Sequence, residues 1–203
     1  MSWPNTSMRV PIEHPEFTRL IDGFVFNCPS RIVKETKIKP PPITGPKYRR
    51  EHENVSKRKC SFYDRGIKKD LLTTILAQIR RPMVANGTYI VLKPEKDVEH
   101  ERKLMESSIT LSDDFYDEMI YHTRTDMSDT EAIFYYVRNA FAHGSFEAVS
   151  NGASYIYILE SQKDDTIKAQ MRLKEETLLH YLELANASEK EIRSMQRRKK
   201  AKK

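Results

Sequence analysis

Apolar residues recur at helical spacing over residues 67–80, where Leu71, Leu72, Ile75, Leu76 and Ile79 gather on one side of a helix that Pro82 is expected to end. Residues 15–26 carry Phe17, Leu20, Ile21, Phe24 and Val25 at the same period and predict a short amphipathic helix, with no indication of where it docks. The Asn86-Gly87 turn leads into a short strand or extended segment at 88–92, followed by a charged surface helix over 94–107. Ser112 is placed to cap a further helix through Phe115, Met119 and Ile120 to about Thr123, with His122 near its end as a surface or packing residue. From 154 the period changes. Runs at 154–159 and 166–173 read as a hairpin joined by Gln162-Lys163-Asp164-Asp165, with Ile167, Ala169, Met171 and Leu173 alternating against Lys168, Gln170 and Arg172. A lone hairpin is barely stable, so its apolar face is expected to lie on the helices. Residues 174–187 return to helix, with Leu178, Leu179, Leu182 and Leu184 as core candidates and His180 in a structural place. Ser188 to Glu191 repeats the spacing of a capping box and opens a last helix.

The helix over 129–143 has both ends marked. Ser128-Asp129-Thr130-Glu131 has capping-box spacing, and Gly144 is the residue type that closes a helix in a left-handed turn. At about 100° per residue, Ile133, Phe134, Val137, Ala140 and Phe141 collect on one side, the face a core would take. Arg138, Asn139 and His143 fall on the other half, among Ala132, Ala142, Tyr135 and Tyr136. Small and aromatic residues beside those polar groups favour an interface with a second subunit or a ligand cleft over open water. Asn139 lies one turn before His143, near enough to orient its ring, whereas Arg138 is roughly 140° away from His143 around the axis. Two copies of the helix meeting across a twofold axis would line one groove with both arginines and both histidines.

A guanidinium with an imidazole suits phosphodiester chemistry that has an internal nucleophile. In RNA that nucleophile is the 2′-hydroxyl: the imidazole moves protons, and the guanidinium offsets charge building on the phosphorus oxygens. No metal is needed for this. The spacing alone is also met by chance, and a helix-end cap or structural N–H donor is the alternative role of His143.

Arg138-Asn139-Ala140-Phe141-Ala142-His143 resembles the Arg-x(4 to 6)-His signature of HEPN domains, in its Arg-Asn-x-x-x-His form. The resemblance runs from about residue 67 to the C-terminal helix, most closely over 128–184, and leaves 1–66 unmatched. It implies a mainly α fold, a HEPN-like helical bundle here carrying an appended β-hairpin. It further implies a homodimer with a composite active site, and metal-independent endoribonuclease activity of the toxin or antiphage-defence kind. Arg138 and His143 would be the catalytic pair, with Asn139 in support. Glu131 stands where that family often has a polar residue, and its place in the capping box accounts for it equally well. Some members bind nucleotides or proteins without cutting RNA. A non-catalytic nucleic-acid or nucleotide-binding module, and the neutralising partner of a toxin pair, therefore stand as alternatives.

The chain has 203 residues, enough for one domain and an appendage. The expected division is an N-terminal extension at 1–66 with a proline-rich, basic connector, a helical domain at 67–187 that includes the hairpin (about 154–173), and a basic helix and tail at 188–203. A net charge of +6 favours anionic partners, RNA being the simplest, although charge alone supplies only nonspecific attraction. Arg197, Arg198, Lys199 and Lys200 in the tail are candidate RNA contacts or a solubilising end. Residues 47–59, with Tyr48, Phe62 and Tyr63 nearby, read as a basic RNA-holding arm or a solvated link. Cys28 and Cys60 are expected to be reduced thiols of a cytoplasmic protein, and no Cys or His spacing resembles a zinc site. Residues 1–10 lack a signal-peptide pattern, and no stretch approaches 18 apolar residues, so neither secretion nor a membrane partner is expected. No cofactor is expected, since there is no glycine-rich phosphate loop, and an antitoxin or other regulator is a possible partner of a nuclease of this kind.

Overall fold

The computed structural model describes residues 14–29, 62, 66–108, 117–152 and 154–201. Among the described residues, six α-helices and five strands follow one another as α1 (Pro15–Ile21), α2 (Lys69–Asn86), β1 (Tyr89–Leu92), α3 (Val98–Ser108), β2 (Glu118–His122), α4 (Asp129–His143), β3 (Phe146–Asn151), β4 (Ser154–Lys163), β5 (Thr166–Lys174), α5 (Glu175–Asn186) and α6 (Glu189–Ala201). The strands form one mixed sheet in the order β1-β2-β5-β4-β3. β1 and β2 are parallel, bridged by α3, and every other pairing is antiparallel.

The expected helical bundle with an appended hairpin is therefore wrong: the fold is mixed α/β, and the hairpin is two central strands of a five-stranded sheet. Much of the error lies at residues 118–122, which were expected in a helix and form β2. All five residues are buried, because helices cover both faces of the sheet there. A strand buried on both sides shows an unbroken run instead of alternation, so its period is invisible. β3 was missed for a different reason, since only Phe146 and Ala148 pack inward and the segment is short. The predicted capping position at Ser112 and its neighbour Phe115 lie outside the described residues.

Register divides the sheet into two faces. Met119, Tyr121, Ala169, Met171, Leu173, Tyr157 and Leu159 point toward α2, α4 and α5 and form the main core with them. Ile120 and Leu92 point the other way, where Val98 of α3 closes a second, smaller core. The alternation expected for β5 holds from Leu173 back to Ala169 and then breaks. Ser161 pairs with Ala169 but Gln162 pairs with Ile167, leaving Lys168 as the extra residue of a bulge. Ile167 is thereby turned onto the α3 side, against the smaller core. The β4–β5 turn places both Asp164 and Asp165 at positive φ (51° and 56°), as a two-residue hairpin connection requires.

α2 runs on to Asn86, four residues past the proline that was expected to end it. Met83 is fully buried and Thr88 N–H donates to its carbonyl (2.9 Å), so packing and capping hold the turn that proline weakens. α1 continues as one π-helical turn, Asp22–Phe26, and docks on α4: Phe24 packs against Phe134 and Phe141 with ring centroids 6.1 and 5.8 Å apart. Its start is tied to α5, where His14 Nε2 lies 2.7 Å from Glu175 Oε2 and Tyr157 O–H donates to the same oxygen (3.1 Å). Cys28, buried, closes this segment by donating its thiol to the Phe134 carbonyl (3.7 Å).

Gly23 is the point of closest approach. A Cβ built there would lie 2.5 Å from a methyl of Leu182, itself 5% exposed. Gly23→Ala is therefore expected to cost about 1–3 kcal/mol, read as a lower urea midpoint with an unchanged slope; an unchanged midpoint would mean that the turn does not sit on α5. No helix of the described residues is long and apolar enough to cross a membrane.

Candidate functional site

α4 carries the Arg138–His143 motif, and its two ends are held as its sequence dictates. The Ser128 hydroxyl accepts from Glu131 N–H (3.4 Å) while the Glu131 carboxylate accepts from Ser128 N–H (2.9 Å) and Ser128 O–H (2.8 Å). Glu131 is thus a cap buried to 2% exposure, and among the described residues its other oxygen, Oε1, has no hydrogen-bond partner. At the far end Gly144 takes the left-handed conformation (φ 68°), Ser145 N–H returns to the Ala140 carbonyl (2.9 Å), and β3 begins at once. Glu160 N–H donates to the Ser145 carbonyl (2.9 Å), so the last turn of the helix is joined to the sheet.

Most of α4 is buried all round. Ile133, Phe134, Val137, Ala140 and Phe141 face the core as expected. Ala132 and Tyr136, assigned by periodicity to the open half, are also buried, and the Tyr136 hydroxyl donates to the His122 carbonyl (3.0 Å). Burial pushes the Tyr136 phenol up to about 12. His122 itself is 3% exposed with Nδ1 2.8 Å from the Lys93 carbonyl, a packing residue. What stays open is a short patch toward the C-terminal end of α4: Tyr135 and Arg138 half-buried, Ala142 and His143 exposed, and Asn139 9% exposed at its edge.

Within the patch the polar groups are arranged differently from the sequence expectation. Arg138 Nη1 donates to Asn139 Oδ1 (3.4 Å), so Asn139 steadies the guanidinium instead of the imidazole. Among the described residues no hydrogen bond or ion pair holds the His143 imidazole. The helix separates the two catalytic candidates by five residues, a rise of about 7.5 Å, so Arg138 and His143 of one copy do not meet as a pair.

A cavity of about 550 Å³ lies next to this patch but is not part of it. Its wall includes Gly144, yet neither Arg138 nor His143 lines it, and Glu99, Glu118, Glu147 and Glu160 outnumber Arg102 there. That charge is the wrong sign for a phosphodiester. Of the tail candidates, Arg197 is exposed on α6, which packs along α2, with Gln196 Nε2 donating to Thr74 (2.7 Å). Arg198, Lys199 and Lys200 lie in the same helix, and their side chains are outside the described residues, as are the basic arm at 47–59 and Cys60.

The sequence reading missed one pair of residues. Arg124, in the β2–α4 connection, places its guanidinium carbon 4.5 Å from the centroid of the Tyr135 ring. Asp126 grips the same guanidinium through both carboxylate oxygens, Nε to Oδ1 and Nη2 to Oδ2, each 2.9 Å, and this hydrogen-bonded pairing holds Arg124 even more firmly protonated than usual. Tyr135 was visible as an open-face residue. Arg124 had no periodic signal, because a loop brings it there. No family model, curated protein or solved structure matches this chain.

Proposed function

We propose that the protein is a metal-independent endoribonuclease, of the toxin or defence-effector kind, whose active site is completed when two copies bring their α4 patches together. The observation that carries this reading is selective exposure. On a helix otherwise sealed by its own chain, the side chains left open include the one guanidinium and the one imidazole, at the end that a cap and a strand hold still. Neither Arg138 nor His143 lines the neighbouring cavity, so in this reading a second copy supplies the other wall of the cleft, and a twofold pairing sets Arg138 of one copy beside His143 of the other. The spacing of Arg138 and His143, which resembles the HEPN signature, supports the same reading as a motif only, since the five-stranded sheet is not the helical bundle that resemblance implied.

In the proposed reaction one His143 takes the proton of a 2′-hydroxyl. The 2′-oxygen then bonds to the adjacent phosphorus, the bond from phosphorus to the 5′-oxygen breaks, and the same imidazole, now protonated, returns that proton to the leaving oxygen. Arg138 faces the phosphorus oxygens as charge accumulates on them, with Asn139 fixing its direction. The products are a 2′,3′-cyclic phosphate and a 5′-hydroxyl.

Purified protein incubated with end-labelled total RNA, with and without EDTA, tests this. Cleavage that persists in EDTA and leaves cyclic phosphate ends is the expected result. Loss of cleavage in EDTA, or 3′-hydroxyl ends, would overturn the mechanism, and RNA bound but left intact would favour a binding module.

A further inference from the structure

We propose that Arg124 and Tyr135 form a nucleobase-stacking subsite for single-stranded RNA, holding the nucleotide next to the phosphate that Arg138 contacts; this rests on the nuclease reading of the Arg138–His143 patch. Tyr135 stands three residues before Arg138, about 4.5 Å along the axis and some 60° around it. It therefore lies inside the arc that runs from Arg138 to His143. Above it sits the Arg124 guanidinium, 4.5 Å from the ring centroid. Behind it the buried Tyr136 ring packs edge-on, centroids 5.6 Å apart at 68°.

Charge decides what this stack takes. Asp126 engages Arg124 through two hydrogen bonds of 2.9 Å, so the pair carries little net charge, and a phosphate approaching it would meet the Asp126 carboxylate, whose side chain is 48% exposed. A base has no such conflict. Guanidinium planes and tyrosine rings are both surfaces on which unstacked bases lie, and the Arg124 side chain keeps 21% of its area open. The two-point grip of Asp126 and the backing of Tyr136 fix the platform before RNA arrives, which lowers the ordering cost of binding. Stacking of this kind reads no base edge, so the subsite favours unpaired RNA over duplex without choosing a sequence.

The test uses the full chain and a fluorescent, fully 2′-O-methylated 12-nucleotide probe, which offers no 2′-hydroxyl for cleavage, with an abasic probe of equal length and charge beside it. Tyr135→Ala and Arg124→Ala are each expected to weaken binding of the base-bearing probe about 10-fold, Tyr135→Phe less than 2-fold, and none to alter binding of the abasic probe. Unchanged affinity in Tyr135→Ala, equal losses on both probes, or no binding by wild type would overturn the subsite. Where an alanine variant misfolds by circular dichroism, Tyr135→Leu, which keeps apolar bulk but no ring, replaces it under the same criteria. Cleavage of ordinary RNA by wild type, followed in parallel, separates the two ideas. Normal cleavage with no Tyr135 effect removes the subsite alone, and a Tyr135 effect without cleavage removes the nuclease reading alone.

Discussion

His143→Ala is expected to lower RNA cleavage by about 10²- to 10⁴-fold, the range in which a positioned proton-transfer group acts. Arg138→Ala should cost about 10²- to 10³-fold, as loss of one donor to a developing oxyanion does. Neither loss should come from unfolding. His143 is exposed and Arg138 half-buried outside the core, so each variant should keep a melting temperature close to wild type. The stronger measurement mixes the two dead proteins. If each active site takes Arg138 from one copy and His143 from the other, a heterodimer of the two variants holds one site with neither group and one site intact. With random exchange half the dimers are mixed, and cleavage should return to roughly a quarter of the wild-type rate. Two inactive variants that stay inactive when mixed would place both groups of the site within a single chain and end the composite model. Cleavage surviving in His143→Ala would remove the imidazole from the mechanism altogether.

The part of the fold that could be read in advance is the part set by neighbours in sequence. Ser128 and Glu131 cap α4 through their own side chains, Gly144 stops it by its own backbone freedom, and the hairpin of β4 and β5 is closed by the two residues between its strands. The sheet was hidden because its pairings are distant. β2 joins β1, some 30 residues earlier, to β5, about 50 residues later, and nothing within 118–122 announces either partner. Tertiary contacts also overrode local signals that were read correctly: Pro82 is a helix breaker, yet the buried Met83 keeps α2 going, and Ile167 follows the β alternation, yet a bulge turns it to the other face. The site divides in the same way. Which polar residues share the open side of α4 follows from 3.6 residues per turn, but Asn139 can bond either to Arg138 beside it or to His143 one turn on, and periodicity does not choose. Arg124 reaches Tyr135 only because β2 ends where it does, so a misplaced β2 concealed that contact completely.

Phe141→Ala is expected to produce the largest loss of stability among these substitutions, about 3–5 kcal/mol, seen as a fall in melting temperature on the order of 10 °C. The ring is 5% exposed and packs on three elements at once, with centroids 5.8 Å from Phe24 of the π-helical turn, 5.1 Å from Phe146 of β3 and 5.9 Å from Tyr157 of β4. Those neighbours belong to separate backbone segments that cannot all close on the void, so most of the cavity should remain. Phe141 precedes His143 by two residues and lies about 160° from it around the helix, pointing into the core while the imidazole points out. Its removal therefore deletes no reacting group and loosens only the seat of the turn that carries one. Below the lowered melting temperature, cleavage should drop by less than in His143→Ala, and Phe141→Leu, which refills most of the volume, should recover most of both losses. A melting temperature within 2 °C of wild type would mean that α4 is not clamped between the sheet and the N-terminal turn, and would leave His143 without the fixed position that proton transfer demands.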